Sequence, residues 1–152
     1  MATVSYRISA RDIRKAIKEK VDGPIIALTK NPDIMRLLAE KAIEIVTPYV
    51  PMKDENLRRS THVVYKGRQV YIVWGSPSIV EKYVTRTGNI RTVSTADYAA
   101  YQHDADDSGW NRTTPGTKSY WTEELYPGTP GFQELVDFAI PLVKKEVKRG
   151  GK

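Results

Sequence analysis

Thr61-His62-Val63-Val64-Tyr65-Lys66-Gly67-Arg68-Gln69-Val70-Tyr71-Ile72-Val73-Trp74 is the stretch in which apolar residues begin to alternate with a period of 2. Two β-branched and aromatic runs flank Lys66-Gly67-Arg68, so the segment predicts a β-hairpin turning at Gly67. Val70, Ile72 and Trp74 fall on one face of its second strand, Tyr71 and Val73 on the other. Gly75-Ser76-Pro77 closes it. A second extended pair follows: residues 79–85 and 90–93, joined by Arg86-Thr87-Gly88-Asn89. That pair is rich in β-branched residues but poor in large apolar ones, so a hairpin over about 79–96 is expected to project from the body. Tyr98-Ala99-Ala100-Tyr101 reads as a short strand or a strand-to-helix junction.

Outside this central block the period is helical. Ser9 caps a predicted helix with Asp12 at N3, and Ile8 and Ile13 are placed to form a hydrophobic staple. Ile13, Ala16, Ile17 and Val21 continue its apolar stripe to Gly23-Pro24, and a further helical turn or two is expected at Ile25–Leu28. Asn31-Pro32-Asp33 starts a second helix carrying Ile34, Leu38, Ala42, Ile45 and Val46, which stops at Thr47-Pro48. A long polar loop covers about residues 102–118, and Trp121 to Leu125 form a helical turn broken at Pro127-Gly128. Thr129-Pro130 opens the closing helix, with Phe132, Val136, Ala139, Ile140, Val143 and Val147 inward and Pro141 as a kink. The fold class is α+β: an antiparallel sheet built from hairpins, packed against N-terminal helices and a C-terminal helix.

At 152 residues the chain is expected to be a single domain. No apolar run approaches the roughly 18 residues of a membrane span, and the N-terminus lacks an apolar signal core. There is no cysteine, which excludes disulfides, thiolate metal sites and a thiol nucleophile. Two histidines, His62 and His103, are too few for a three-histidine metal site. The net charge of +6 is uneven, since residues 1–75 hold 14 basic and 8 acidic side chains and residues 76–152 hold 10 of each. Its densest groups, Arg11/Arg14/Lys15/Lys18 and Lys144/Lys145/Lys148/Arg149, fit solvated helix faces. No base-reading motif accompanies them, so a non-specific nucleic-acid-binding module is the alternative that charge alone supports.

Catalytic constellations are weak. Gly75-Ser76 precedes Asp104-Ala105-Asp106 by 28 residues with a hairpin between, too far for a nucleotidyltransferase unit. His103, Asp104, Asp106 and Asp107 lack the spacing and the closing bidentate Glu of a calcium loop. No serine sits in a nucleophile elbow, and His62 lies in a strand run as a structural histidine does. No enzyme activity, cofactor or metal is expected. Nine tyrosines and three tryptophans against two phenylalanines instead suit a contact surface, with Tyr83, Tyr98, Tyr101, Trp110 and Tyr120 on or beside the second hairpin and the polar loop.

Three blocks carry a resemblance. Val50-Pro51-Met52-Lys53-Asp54-Glu55-Asn56-Leu57-Arg58-Arg59-Ser60 resembles the Val-Pro-x-Asp-Thr-Gly-Asn-Leu-Arg-x-Ser signature of tailed-bacteriophage minor capsid proteins, the head–tail joining or tail completion proteins. Asp97 to His103 is similar to that family's Tyr-Ala-x-Tyr block, and Pro115-Gly116-Thr117 with Trp121-Thr122-Glu123-Glu124 to its late Pro-Gly and Trp-x-Glu block. The order of elements agrees from about residue 31 to 148. Lys53 and Glu55 depart from the family's Asp and Gly, so Asp54 is expected to supply the turn-forming carboxylate.

The resemblance implies a structural virion protein, assembled in the bacterial host, that forms a ring in the head–tail connector. Its partners would be copies of itself, portal-side connector proteins and tail proteins. DNA would pass through the lumen without sequence-specific binding, with Arg58, Arg59, Lys66 and Arg68 as lumen candidates. Assembly contacts would come from Tyr83, Arg86, Thr87, Asn89, Arg91, Tyr98, Tyr101 and Trp110. Pro51, Asp54, Asn56, Leu57, Arg58 and Ser60 would form the signature turn.

Overall fold

The computed structural model describes residues 3–20, 31–50, 56–96, 99, 103 and 120–150. The fold is mixed α+β, and the described residues form five strands in two sheets. Strands β1 (Val4–Arg7), β2 (His62–Lys66) and β3 (Gln69–Trp74) form an antiparallel sheet in the order β1-β3-β2. Strands β4 (Val80–Val84) and β5 (Ile90–Ser94) form a separate two-stranded sheet. The principal helices are α1 (Ala10–Lys18), α2 (Pro32–Val46), the single turn α3 (Asn56–Arg59) and α4 (Pro130–Gly150). None is long and apolar enough, among the described residues, to cross a membrane. Contacts divide the chain into two compact units: Met1–Tyr6, Thr47–Val63 and Ile72–Trp121 in the first, and Arg7–Val46, Val64–Tyr71 and Thr122–Lys152 in the second.

Local chemistry explains the helix starts in the second unit. The Asp12 amide donates to Ser9 Oγ at 3.2 Å, and the amides of Asp33 and Ile34 both donate to Asn31 Oδ1 at 3.1 Å. Thr129 Oγ1 accepts from the Phe132 amide at 3.1 Å and opens α4. The expected stripes are buried: Ile8, Ile13 and Ile17 along the α1 region, and Ile34, Leu38, Ala42, Ile45 and Val46 along α2. Phe132, Leu135, Val136, Ala139 and Val143 are buried on α4, where Ile140, expected inward, is half-buried. These large apolar side chains contribute roughly 1.5–3 kcal/mol each on burial, far more than the surface ion pairs Lys20–Asp137 or Arg36–Glu40. The helix runs on through Pro141, which is exposed and lacks the N–H that the Asp137 carbonyl would accept.

Two elements differ from the sequence reading. Residues Val4–Arg7 form a strand unforeseen in the sequence, joined to β3 and followed by an Ile8 amide bond of 2.9 Å to the Val70 carbonyl. Helix α2 ends at Val46, where Thr47-Pro48 is expected to stop it, and a 3₁₀ turn absent from the sequence reading follows at Thr47–Tyr49. Segments 21–30 and 104–119, which include the predicted Ile25–Leu28 turns and most of the polar loop, lie outside the described residues.

In the first unit Trp74 and Trp121 are fully buried and meet edge to face, their ring centroids 6.1 Å apart. Val4, Val50, Leu57, Ile72, Ala96 and Ala99 are buried in the same unit. Thr95, Ala96 and Ala99 are helical, in keeping with a strand-to-helix junction there.

Candidate functional site

The second hairpin is antiparallel in the register Val80↔Ser94, Lys82↔Thr92 and Val84↔Ile90 on one face, and Glu81↔Val93 and Tyr83↔Arg91 on the other. Val84 and Ile90 are a directly opposed apolar pair, 69% and 72% exposed, and Val80 is exposed on the same face. A two-stranded ribbon is marginal by itself. What holds it is local. At the tip the Thr85 amide donates to the Asn89 carbonyl at 2.8 Å, the Asn89 amide donates to Thr85 Oγ1 at 3.2 Å, and Asn89 Nδ2 donates to Thr87 Oγ1 at 3.2 Å. At the base the Thr95 amide donates to the Ile79 carbonyl at 2.7 Å, and the Ser76 amide donates to Thr95 Oγ1 at 2.9 Å. Thr95 Oγ1 in turn donates to the Ser76 carbonyl at 2.9 Å.

Gly75 permits this closure. Its φ is +108°, and a Cβ there would lie 2.8 Å from the Thr95 carbonyl oxygen and 2.9 Å from Ala96 Cα. The Gly75 amide donates at 2.8 Å to Ser60 Oγ, and that hydroxyl donates to the Leu57 carbonyl. Ser60 is 2% exposed. Arg58 Nε donates to the Val50 carbonyl at 2.9 Å and Arg58 Nη2 to the Pro48 carbonyl at 3.3 Å, which satisfies carbonyls at the end of the 3₁₀ turn. The described part of the signature is therefore an anchor: Leu57 fills the core, Arg58 holds the preceding turn, and Ser60 holds the base of the exposed hairpin.

Arg86, Thr87 and Asn89 sit at the exposed tip, Arg91 is exposed on β5, and Tyr83 is paired with Arg91 in register. Tyr98, Tyr101, Trp110, Pro51 and Asp54 lie outside the described residues. Of the four basic lumen candidates, Arg58 is engaged on backbone carbonyls and Lys66 Nζ stands 5.5 Å from the Tyr71 ring centroid. Sequence reasoning passed over Val84 and Ile90 as a pair; strand register, which counts outward from the Gly88 turn, is the signal that finds them.

His103 stacks edge to face on Trp121 at 4.7 Å, and Trp74 and Trp121 place their indole N–H groups in the interior with no acceptor among the described residues. His62 Nδ1 lies 2.8 Å from the Ser60 carbonyl. No group of three side chains suited to a metal ion occurs among the described residues.

Charge is more concentrated than the split by halves suggests. Residues 3–20 hold six basic and two acidic side chains, residues 62–71 hold two basic and none acidic, and the remainder of the chain is neutral. Comparison with family models, curated proteins and solved structures finds no match to this chain.

Proposed function

We propose that this chain is a structural virion protein of a tailed phage, one subunit of a head–tail connector ring that associates with copies of itself and with adjoining neck or tail proteins. The observation that carries the reading is the exposed Val84–Ile90 pair on a ribbon whose base is held by Ser60. An apolar cross-strand pair in water contributes little to the subunit, yet gains about 25 cal/mol per Å² when a neighbour covers it. The ribbon has the composition of a contact arm: polar and cationic at the tip, with Val80, Val84 and Ile90 exposed on one face, and closed on itself by hydrogen bonds. Its anchor falls inside the segment whose sequence resembles the minor capsid signature, which supports the same reading. Such a protein acts by fit, without turnover or cofactor.

The test is assembly of the purified full chain, alone and with virion necks, followed by light scattering and electron microscopy. Ring-sized particles are expected. The double variant Val84→Ser/Ile90→Ser should keep the subunit's unfolding midpoint, with stability changed by less than about 1 kcal/mol, because both side chains are on the surface. The same variant should abolish the particles. A chain that stays monomeric under both conditions, or a variant that assembles as well as the parent, sinks the reading.

A further inference from the structure

Arg7, Arg11 and Arg68 line one cavity of about 180 Å³, together with Ser9, Met35 and neighbouring backbone. They come from three places in the sequence and meet for a reason. Strand β1 pairs with β3, and the Ile8 amide bond to the Val70 carbonyl sets Arg7 close to the β2–β3 turn that carries Arg68. Ser9 then caps α1, which puts Arg11 in its first turn. All three arginines are exposed, and none of their side chains forms an ion pair or a hydrogen bond with a described residue. Asp12 is the one acid between residues 3 and 18, and residues 60–72 contain none.

Three like-charged side chains that line one small cavity with no acidic residue in its lining favour an anion there. We propose that this cavity is a phosphate site and that its ligand is the phosphodiester backbone of a nucleic acid. Arginine binds the two charged oxygens of a phosphodiester through its planar fork, and successive phosphates of one backbone can engage the three arginines separately. The positive end of the α1 dipole adds to the attraction. From the cavity, Arg11, Lys15 and Lys18 continue as an exposed i, i+4, i+7 stripe along α1, so a polyanion seated at the cavity meets further cations. No aromatic side chain lines the cavity, which removes base stacking and leaves binding indifferent to sequence. The site rests on the cavity and the charge, and a chain that formed no rings would still be expected to have it.

The experiment measures binding of the full-length chain to a short DNA duplex of arbitrary sequence by fluorescence anisotropy over a salt series. Each phosphate contact contributes about 0.9 to the slope of log K against log salt, so Arg7→Gln/Arg11→Gln/Arg68→Gln should lower that slope by roughly 2–3. The charge-matched variant Lys82→Gln/Lys144→Gln/Lys145→Gln, altered at exposed positions elsewhere, should keep the parent slope. Arg68→Gln alone should lower it by about 1 and serves where the triple variant folds poorly. Inorganic phosphate should compete with the duplex. Equal losses in the two triple variants would mean diffuse attraction and overturn the site. Binding of free phosphate without DNA, or of polyglutamate in place of DNA through the same arginines, overturns the nucleic-acid assignment.

Discussion

Removing the Ser60 hydroxyl leaves the buried Gly75 amide facing a place where water does not reach and no acceptor remains. An unsatisfied buried donor costs about 1–3 kcal/mol, so Ser60→Ala should lower the unfolding free energy by that amount, seen as a lower urea midpoint at unchanged m. A midpoint unchanged from the parent would mean that the Ser60–Gly75 bond does not hold the hairpin base. Ser60 stood out in the sequence only as the end of a resembling block. Its role depends on a partner 15 positions away whose φ is +108°, and a dihedral angle of that kind is not written in residue order. The caps were legible for the opposite reason. Ser9, Asn31 and Thr129 bond to amides two or three residues on, so residue type and spacing suffice.

Helix α4 shows how much an element depends on its neighbours within the second unit. A Cβ at Gly131 would lie 2.0 Å from the Glu124 carbonyl oxygen and 3.2 Å from Ile45 Cγ2. Gly131→Ala should therefore push the Trp121–Leu125 turn away from the start of α4, lowering stability by about 3 kcal/mol in thermal or urea unfolding. A fully stable variant would contradict that close approach. On the exposed side of α4, Gln133 Nε2 donates to Asp137 Oδ1 at 2.8 Å and Lys20 Nζ donates to it at 3.2 Å. The Gln133 bond, then the Lys20 bond, holds the Asp137 carboxyl below its ordinary value. A depressed acid stabilises the fold above its unfolded pKa, and that contribution disappears as pH falls through the folded value. NMR titration should place the Asp137 midpoint below that of an ordinary aspartate, and Gln133→Ala should raise it. An unshifted midpoint would show that the two bonds are broken in solution.

For the molecule as a whole, fold class was legible because period and punctuation agree along most of the chain. Alternation gave both hairpins, and the 3.6-residue stripes gave α1, α2 and α4. Strand β1 was hidden because Val4–Arg7 is four residues long, and a strand that short carries too few alternations to register. Missing β1 also hid the arginine cavity, since Arg7 and Arg68 become neighbours only when β1 pairs with β3. The division into two units likewise follows from pairings between distant segments, and no shift in composition marks it along the chain.

The buried Trp74–Trp121 contact has a practical consequence for following the two units. Trp74 and Trp121 belong to the first unit, whereas α1, α2 and α4 belong to the second. Emission from these two indoles thus observes one unit and helical ellipticity mainly the other, so the native chain carries two separate optical signals and requires no dye to follow either.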